Sequence, residues 1–134
     1  MAANPPIELV VITPERKVLE TPVEQVVLPA QDGEVGILRG RAPLMCELGI
    51  GQLRYTRDRQ TWRLFVEGGF AQVLQDHVTV LTTQAIPAEA ITEETVRAAE
   101  EAMQRHKGHD AETRTARDRA RRRWSVLRRL RVGP

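Results

Sequence analysis

The sequence predicts a β-sandwich or flattened barrel followed by an antiparallel two-helix hairpin, and three observations carry that prediction. Short β-branched runs separated by turn residues fill the chain up to about Thr83. Pro87 breaks the pattern, and from Glu93 the composition changes to Ala, Glu and Arg at helical spacing. The charge changes as well: residues 1–92 hold 8 Lys/Arg against 11 Asp/Glu, a net of −3, whereas residues 93–134 hold 12 against 7, a net of +5. The expected division is a sandwich over residues 1–86 and a helical hairpin over 87–134.

The strand candidates, in order, are "IELVVI", "VEQVVL", "GQLRYTR", "TWRLFVE", "GFAQVLQ" and "HVTVLTT". Trp62, Leu64 and Val66 alternate with Arg63, Phe65 and Glu67, the period of a half-buried strand. The connectors Arg57 to Gln60 and Gln75 to His77 are short enough for hairpins. Many strands at this spacing with no helix between them favour a sandwich or barrel. One segment, "QDGEVGILRGRAPL" from Gln31 to Leu44, reads as a shaped loop instead. Gly33, Gly36, Gly40 and Pro43 break it, Val35, Ile37, Leu38 and Leu44 turn it back on the core, and Asp32, Glu34, Arg39 and Arg41 face outward.

Thr92 is placed to cap the first helix, with Glu93 and Glu94 at its positive end and a narrow apolar stripe of Val96, Ala99 and Met103. "HKGHD" supplies Gly108 to stop that helix and Asp110 to start the next. In the second helix Ala116, Ala120, Trp124, Leu127 and Leu130 line one side and arginines cover the rest. Both stripes are thin and rich in alanine, so the hairpin is expected to detach from the sandwich.

At 134 residues, 41% apolar and 4% aromatic, the chain has the composition of one globular domain with an aliphatic core and a short appendage. Cys46 is the single cysteine and lies in the apolar run "PLMCELG", which predicts a buried thiol and a reducing compartment. The first residues lack the basic and apolar regions of a secretion signal, and no apolar run reaches the ~20 residues of a membrane span. There is no phosphate loop, nucleophile elbow or HExxH, so no catalytic set is expected. His106 and His109, three apart across a glycine loop, make a poor metal site. From Thr113 onward stand 9 arginines and one acid, Asp118, a pattern that seeks an acidic partner. Nucleic acid with Trp124 stacking on a base, an anionic membrane surface and an acidic protein groove all fit that requirement.

At Asp32 to Leu44, Gly51 to Leu53, Phe65 to Val73 and Val78 to Leu81, the sequence resembles the epsilon subunit of the F-type rotary ATP synthase. That family has a D/E-G-E-x-G-I/V-L-x-G-H-A-P-L stretch, a G-x-L/I strand, F-V-S-G-G-F/I-x-E-V and V-T-I/V-L-A in this order. The resemblance implies a non-catalytic central-stalk subunit, coupling the gamma subunit to the c ring during ion-driven rotation, with no cofactor and no nucleic-acid partner. It implies a peripheral place on the cytoplasmic face of the bacterial plasma membrane, held there only through the complex. On this reading Asp32, Gly33, Glu34, Gly36, Ile37, Arg39, Gly40, Arg41, Ala42, Pro43 and Leu44 contact the c ring and gamma. A mobile hairpin would inhibit hydrolysis by bringing Arg117, Arg121, Arg122, Arg123, Trp124, Arg128 and Arg129 to the alpha and beta subunits. Two departures stand out: Arg41 replaces the family histidine, and Glu67 replaces the serine of S-G-G, which implies a more solvated turn. An ATP-sensing motif of the form I/L-D-x-x-R-A is matched only at Arg97 and Ala98, with Glu94 at the aspartate position.

Overall fold

The computed structural model of the chain describes residues 6–106 and 111–132. Eight strands come first: β1 (Ile7–Ile12), β2 (Lys17–Val23), β3 (Gln25–Ala30), β4 (Gly33–Leu38), β5 (Leu44–Arg57), β6 (Gln60–Leu74), β7 (His77–Leu81) and β8 (Ala85–Pro87). A single 3-10 turn at Ala88–Ala90 leads into α1 (Glu93–Arg105) and α2 (Ala111–Val132). The strands form one sheet in the order β2-β1-β7-β6-β5-β3-β4, with β8 added beside β6. Only the β1 and β7 pairing is parallel.

The sheet folds over on itself because β5 and β6 are long enough to serve both layers. The start of β5 and the end of β6 lie with β7, β1 and β2, whereas the end of β5 and the start of β6 lie with β3, β4 and β8. Between the layers sits an aliphatic core that includes Leu9, Val11, Val26, Leu28, Ile37, Leu53, Leu64, Val66, Val78 and Val80. The fold is an open sandwich: β2 and β4 are the ends of the strand path, so the sheet does not close into a barrel.

β6 changes layer at Gly68 and Gly69, which have φ of +71° and +102°. A Cβ on Gly69 would meet the Leu81 carbonyl oxygen at 1.9 Å, so only glycine fits. The runs expected as two strands, "TWRLFVE" and "GFAQVLQ", are therefore one strand with a corner in it. The hairpins on either side of β6 turn through Asp58-Arg59 and Gln75-Asp76, all four at positive φ. Positive φ at both central residues defines the type I′ geometry that suits a twisted two-strand ribbon.

Two further expectations change. The Asp32 to Leu44 segment is not a loop throughout, since β4 runs through it and pairs with β3 from Gln25 opposite Leu38 to Ala30 opposite Gly33. Ile37 enters the core while Gly36 adds nothing to either face, and that alternation suffices for an edge strand. The run "VEQVVL" is cut at Glu24, where β2 ends and β3 begins. β5 starts earlier than expected, at Leu44, so strand alternation leaves Cys46 half-buried instead of fully buried.

The α1 start matches its expectation: the Thr92 hydroxyl accepts from the Thr95 N–H at 3.1 Å. The expected stop at Gly108 and cap at Asp110 lie outside the described residues, as does His109. Gly69→Ala should lower stability by roughly 2–4 kcal/mol, because the added methyl overlaps backbone that is fixed by β6 and β7 pairing. Urea unfolding should show this as a lower midpoint with an unchanged slope, and a wild-type midpoint would show that the corner relaxes freely.

Candidate functional site

Three surfaces present themselves, and each is built by a different consequence of the fold. The first is the glycine-rich edge. Glu34 on β4 accepts from Arg54 on β5 through both guanidinium ends, at 2.7 and 3.3 Å. β3 lies between these strands, and Gly36 stands opposite Val27, which in turn stands opposite Arg54. With no side chain at Gly36, the arginine reaches across unobstructed. On either side of β4, Asp32, Arg39, Arg41, Ala42 and Pro43 are exposed, and Leu44 at the start of β5 is half-buried. The Gly40 N–H donates to the Asp76 carboxylate at 2.7 Å, which ties this connection to the β6–β7 turn. Gly33 has φ of +133° and an open surround. Ile37 is the one expected contact residue that the fold withdraws into the core.

The second surface was not foreseen. Met45 on β5, Phe70 and Leu74 on β6, and Leu81 on β7 are 66%, 55%, 45% and 52% exposed. Phe70 pairs directly with Leu81, and Gln72, two residues further along the same face, pairs with Met45. They share an apolar strip, interrupted by the exposed Gln72, on the outer face of the layer that carries β1 and β7. Strand alternation in "GFAQVLQ" and "HVTVLTT" contained the signal, since both faces of these strands hold apolar residues.

The third surface is the hairpin, which covers the outer face of the other layer. Phe65 is fully buried there in a second cluster with Ile91, Ala99, Val126, Leu127 and Leu130. Val126, absent from the expected stripe, joins Leu127 and Leu130 in that contact. The hairpin is thus held by the sandwich and not by its own thin stripes alone. Arg122 donates from Nε to the Ile50 carbonyl at 2.7 Å. Arg123 donates to Glu67 and to the Gln84 side-chain oxygen, each at 2.7 Å. Glu67, expected to loosen its turn toward solvent, is instead half-buried under α2 in an ion pair.

The remaining arginines are placed differently. Arg121 and Arg129 are exposed, Arg117 is half-buried, and Arg128 lies over the Trp124 ring at 4.5 Å from its centroid. Trp124 packs against the Phe65 cluster under that cation, an arrangement unlike an open platform for a base. Glu94 and Arg97 pair with each other at 2.9 Å on the exposed side of α1, and Ala98 is exposed beside them. Among the described residues, no group of three or more His, Cys, Asp or Glu could hold a metal, and no helix is long and apolar enough to cross a membrane.

An open sandwich with a bare apolar face, a charged edge and a clasped helical hairpin is the build of a subunit that works through contacts with other chains. Residues 6–88 match the family described as "ATP synthase, Delta/Epsilon chain, beta-sandwich domain". The ATP synthase epsilon chain of Rhodopirellula baltica is 49% identical over 85 residues, 63% of this chain and 66% of that one, just under two thirds of its length. That of Solibacter usitatus is 44% identical over 99 residues, 74% of each chain. A chain in the cryo-EM structure of the Euglena gracilis mitochondrial ATP synthase, OSCP/F1/c-ring in rotational state 1, superposes with a TM-score of 0.77 at 26% identity, covering 94% of this chain and 82% of that one. The chain belongs to the epsilon-chain family of the ATP synthases.

Burial, and next the Asp32 carboxylate, hold the Cys46 thiol above its ordinary pKa. Because the thiolate is the reactive form, Cys46 in the folded chain should react with iodoacetamide near neutral pH several-fold more slowly than in the urea-unfolded chain. Raising the pH should speed the folded reaction, and Asp32→Asn should narrow the gap. Equal rates in folded and unfolded chains would contradict this account of the site.

Proposed function

We propose that the chain is a central-stalk subunit of an F-type rotary ATP synthase that joins the gamma subunit to the c ring and carries out no chemistry itself. The observation that supports this most is the apolar strip of Met45, Phe70, Leu74 and Leu81. Apolar side chains this exposed on neighbouring strands favour burial by a partner, at roughly 25 cal/mol for each Å² covered. Gamma is the partner assigned to this strip. The edge from Asp32 to Leu44, with the Glu34–Arg54 pair and the exposed Arg39 and Arg41, is assigned to the c ring and the adjoining part of gamma. Torque then passes through a sandwich whose two long strands run continuously from one layer to the other.

The hairpin is assigned a second task. Released from the sandwich, it would present Arg117, Arg121, Arg122, Arg123, Arg128 and Arg129, with Trp124, to acidic surfaces of the alpha and beta subunits and so resist rotation during hydrolysis. The net of +5 over residues 93–134 suits such a partner. The subunit would sit on the cytoplasmic face of the membrane through the complex. Glu94, Arg97 and Ala98 are a partial match to an ATP-sensing motif, and the Glu94–Arg97 pair would have to open for both groups to meet a nucleotide.

Two measurements test this reading. Phe70→Asp should leave the fold intact and weaken capture of gamma by at least tenfold in a pull-down with purified subunits, since it places a charge within an apolar contact. Unchanged capture would remove the strip from the interface. A chain ending at His106 should still assemble and should raise the ATP hydrolysis rate of the assembled enzyme, whereas an unchanged rate would remove the inhibitory task.

A further inference from the structure

Glu67 sits immediately before the Gly68-Gly69 corner, and its backbone is fixed on both sides. Its N–H donates to the Thr82 hydroxyl at 3.1 Å and lies 3.0 Å from the Gln84 carbonyl oxygen. Its own carbonyl accepts from the Thr83 hydroxyl at 2.7 Å. The turn that locks Glu67 also presents Gln84, so two side-chain acceptors stand on one rigid corner of the sandwich. Arg123 fills both, donating Nε to Glu67 and Nη2 to Gln84, with its guanidinium 5.8 Å from the centroid of the Phe65 ring. One residue earlier, Arg122 takes the carbonyl of Ile50, the residue opposite Glu67 across β5 and β6.

The side chains of Arg123 and Glu67 are 27% and 29% exposed, so the pair is largely shielded from salt. Arg97–Glu94, at 57% and 75%, is not. The shielded contact also has a specific geometry: a planar fork, one carboxylate and one amide on a fixed corner. A guanidinium held there cannot at the same time bind an acidic surface on another chain.

We propose that Glu67 is an internal competitor for the hairpin's arginines. The Glu67–Arg123–Gln84 latch, with Arg122 on the Ile50 carbonyl, holds the hairpin on the sandwich until a carboxylate-rich surface of another chain takes over these two guanidinium groups. The latch deepens the reading of the hairpin as a moving arm and rests on it. Its test reads the isolated chain, so a negative result leaves the hydrolysis experiment above untouched.

The experiment is hydrogen exchange by mass spectrometry on the full chain, followed in peptides from α2 and, as a fold control, from β1 and β7. Glu67→Gln keeps the shape and removes the charge, and Arg123→Gln removes the cation from a helix that tolerates glutamine. Each should speed α2 exchange about tenfold at low salt, with β1 and β7 unchanged, and the double variant should exchange no faster than the singles. A soluble poly-glutamate peptide should speed α2 exchange in the wild-type chain and have little effect on Glu67→Gln. Wild-type α2 protection in the single variants, additive effects in the double, or no response of the wild-type chain to poly-glutamate would each overturn the proposal.

Discussion

Phe65 is the residue through which the two parts of the molecule become one. Its neighbours Leu64 and Val66 point into the sandwich, so by strand alternation Phe65 must point out, yet it is fully buried. Burial on the outer face requires a cover, and α2 supplies it with Val126, Leu127 and Leu130. The contact is small. Leu127→Ala-type losses at such a site run to roughly 2–5 kcal/mol, the same order as the energy separating two conformations of a switch. The sandwich, by contrast, has its own core between the layers and does not depend on the hairpin for it.

Charge decides what the contact can exchange for. The sandwich half of the sequence is net negative and the hairpin half net positive, so the two attract, but most hairpin cations face water and contribute little to holding it. Arg123 reaches Glu67 and Gln84 beside the corner made by Gly68 and Gly69, and the exposed Arg122 reaches the Ile50 carbonyl on the neighbouring strand. These contacts place α2 on the sandwich, and their release is the step proposed for the hairpin. The apolar strip of Met45, Phe70, Leu74 and Leu81 lies on the outer face of the other layer, so a partner can grip the sandwich without displacing α2.

Much of this architecture was legible in the sequence, and the parts that were not have physical reasons. Alternation in the β6 and β7 runs and the helical spacing after Thr92 report side-chain burial directly, and these elements were recovered. β4 escaped because its glycines remove half of the alternating signal, leaving Val35 and Ile37 to be read as loop anchors. β2 escaped because Thr21 and Pro22 interrupt a short edge strand that needs only one neighbour. The apolar strip left a trace in the β6 and β7 runs, where both faces hold apolar residues, but periodicity reports that a residue is apolar and not which side of a sheet is covered. Glu67 is the sharpest case. Beside two glycines a glutamate reads as solvated, and only the approach of α2 from 56 positions along the chain turns it into a half-buried partner.

The central claim is that the sandwich stays fixed on the rotor while the hairpin changes partner. A distance between spin labels at the exposed positions Thr61, on β6, and Glu112, at the start of α2, reads it directly. The account predicts one narrow distance in the isolated chain and a second, longer population in the assembled enzyme during ATP hydrolysis. A single distance unchanged between the isolated chain and the hydrolysing enzyme would contradict it.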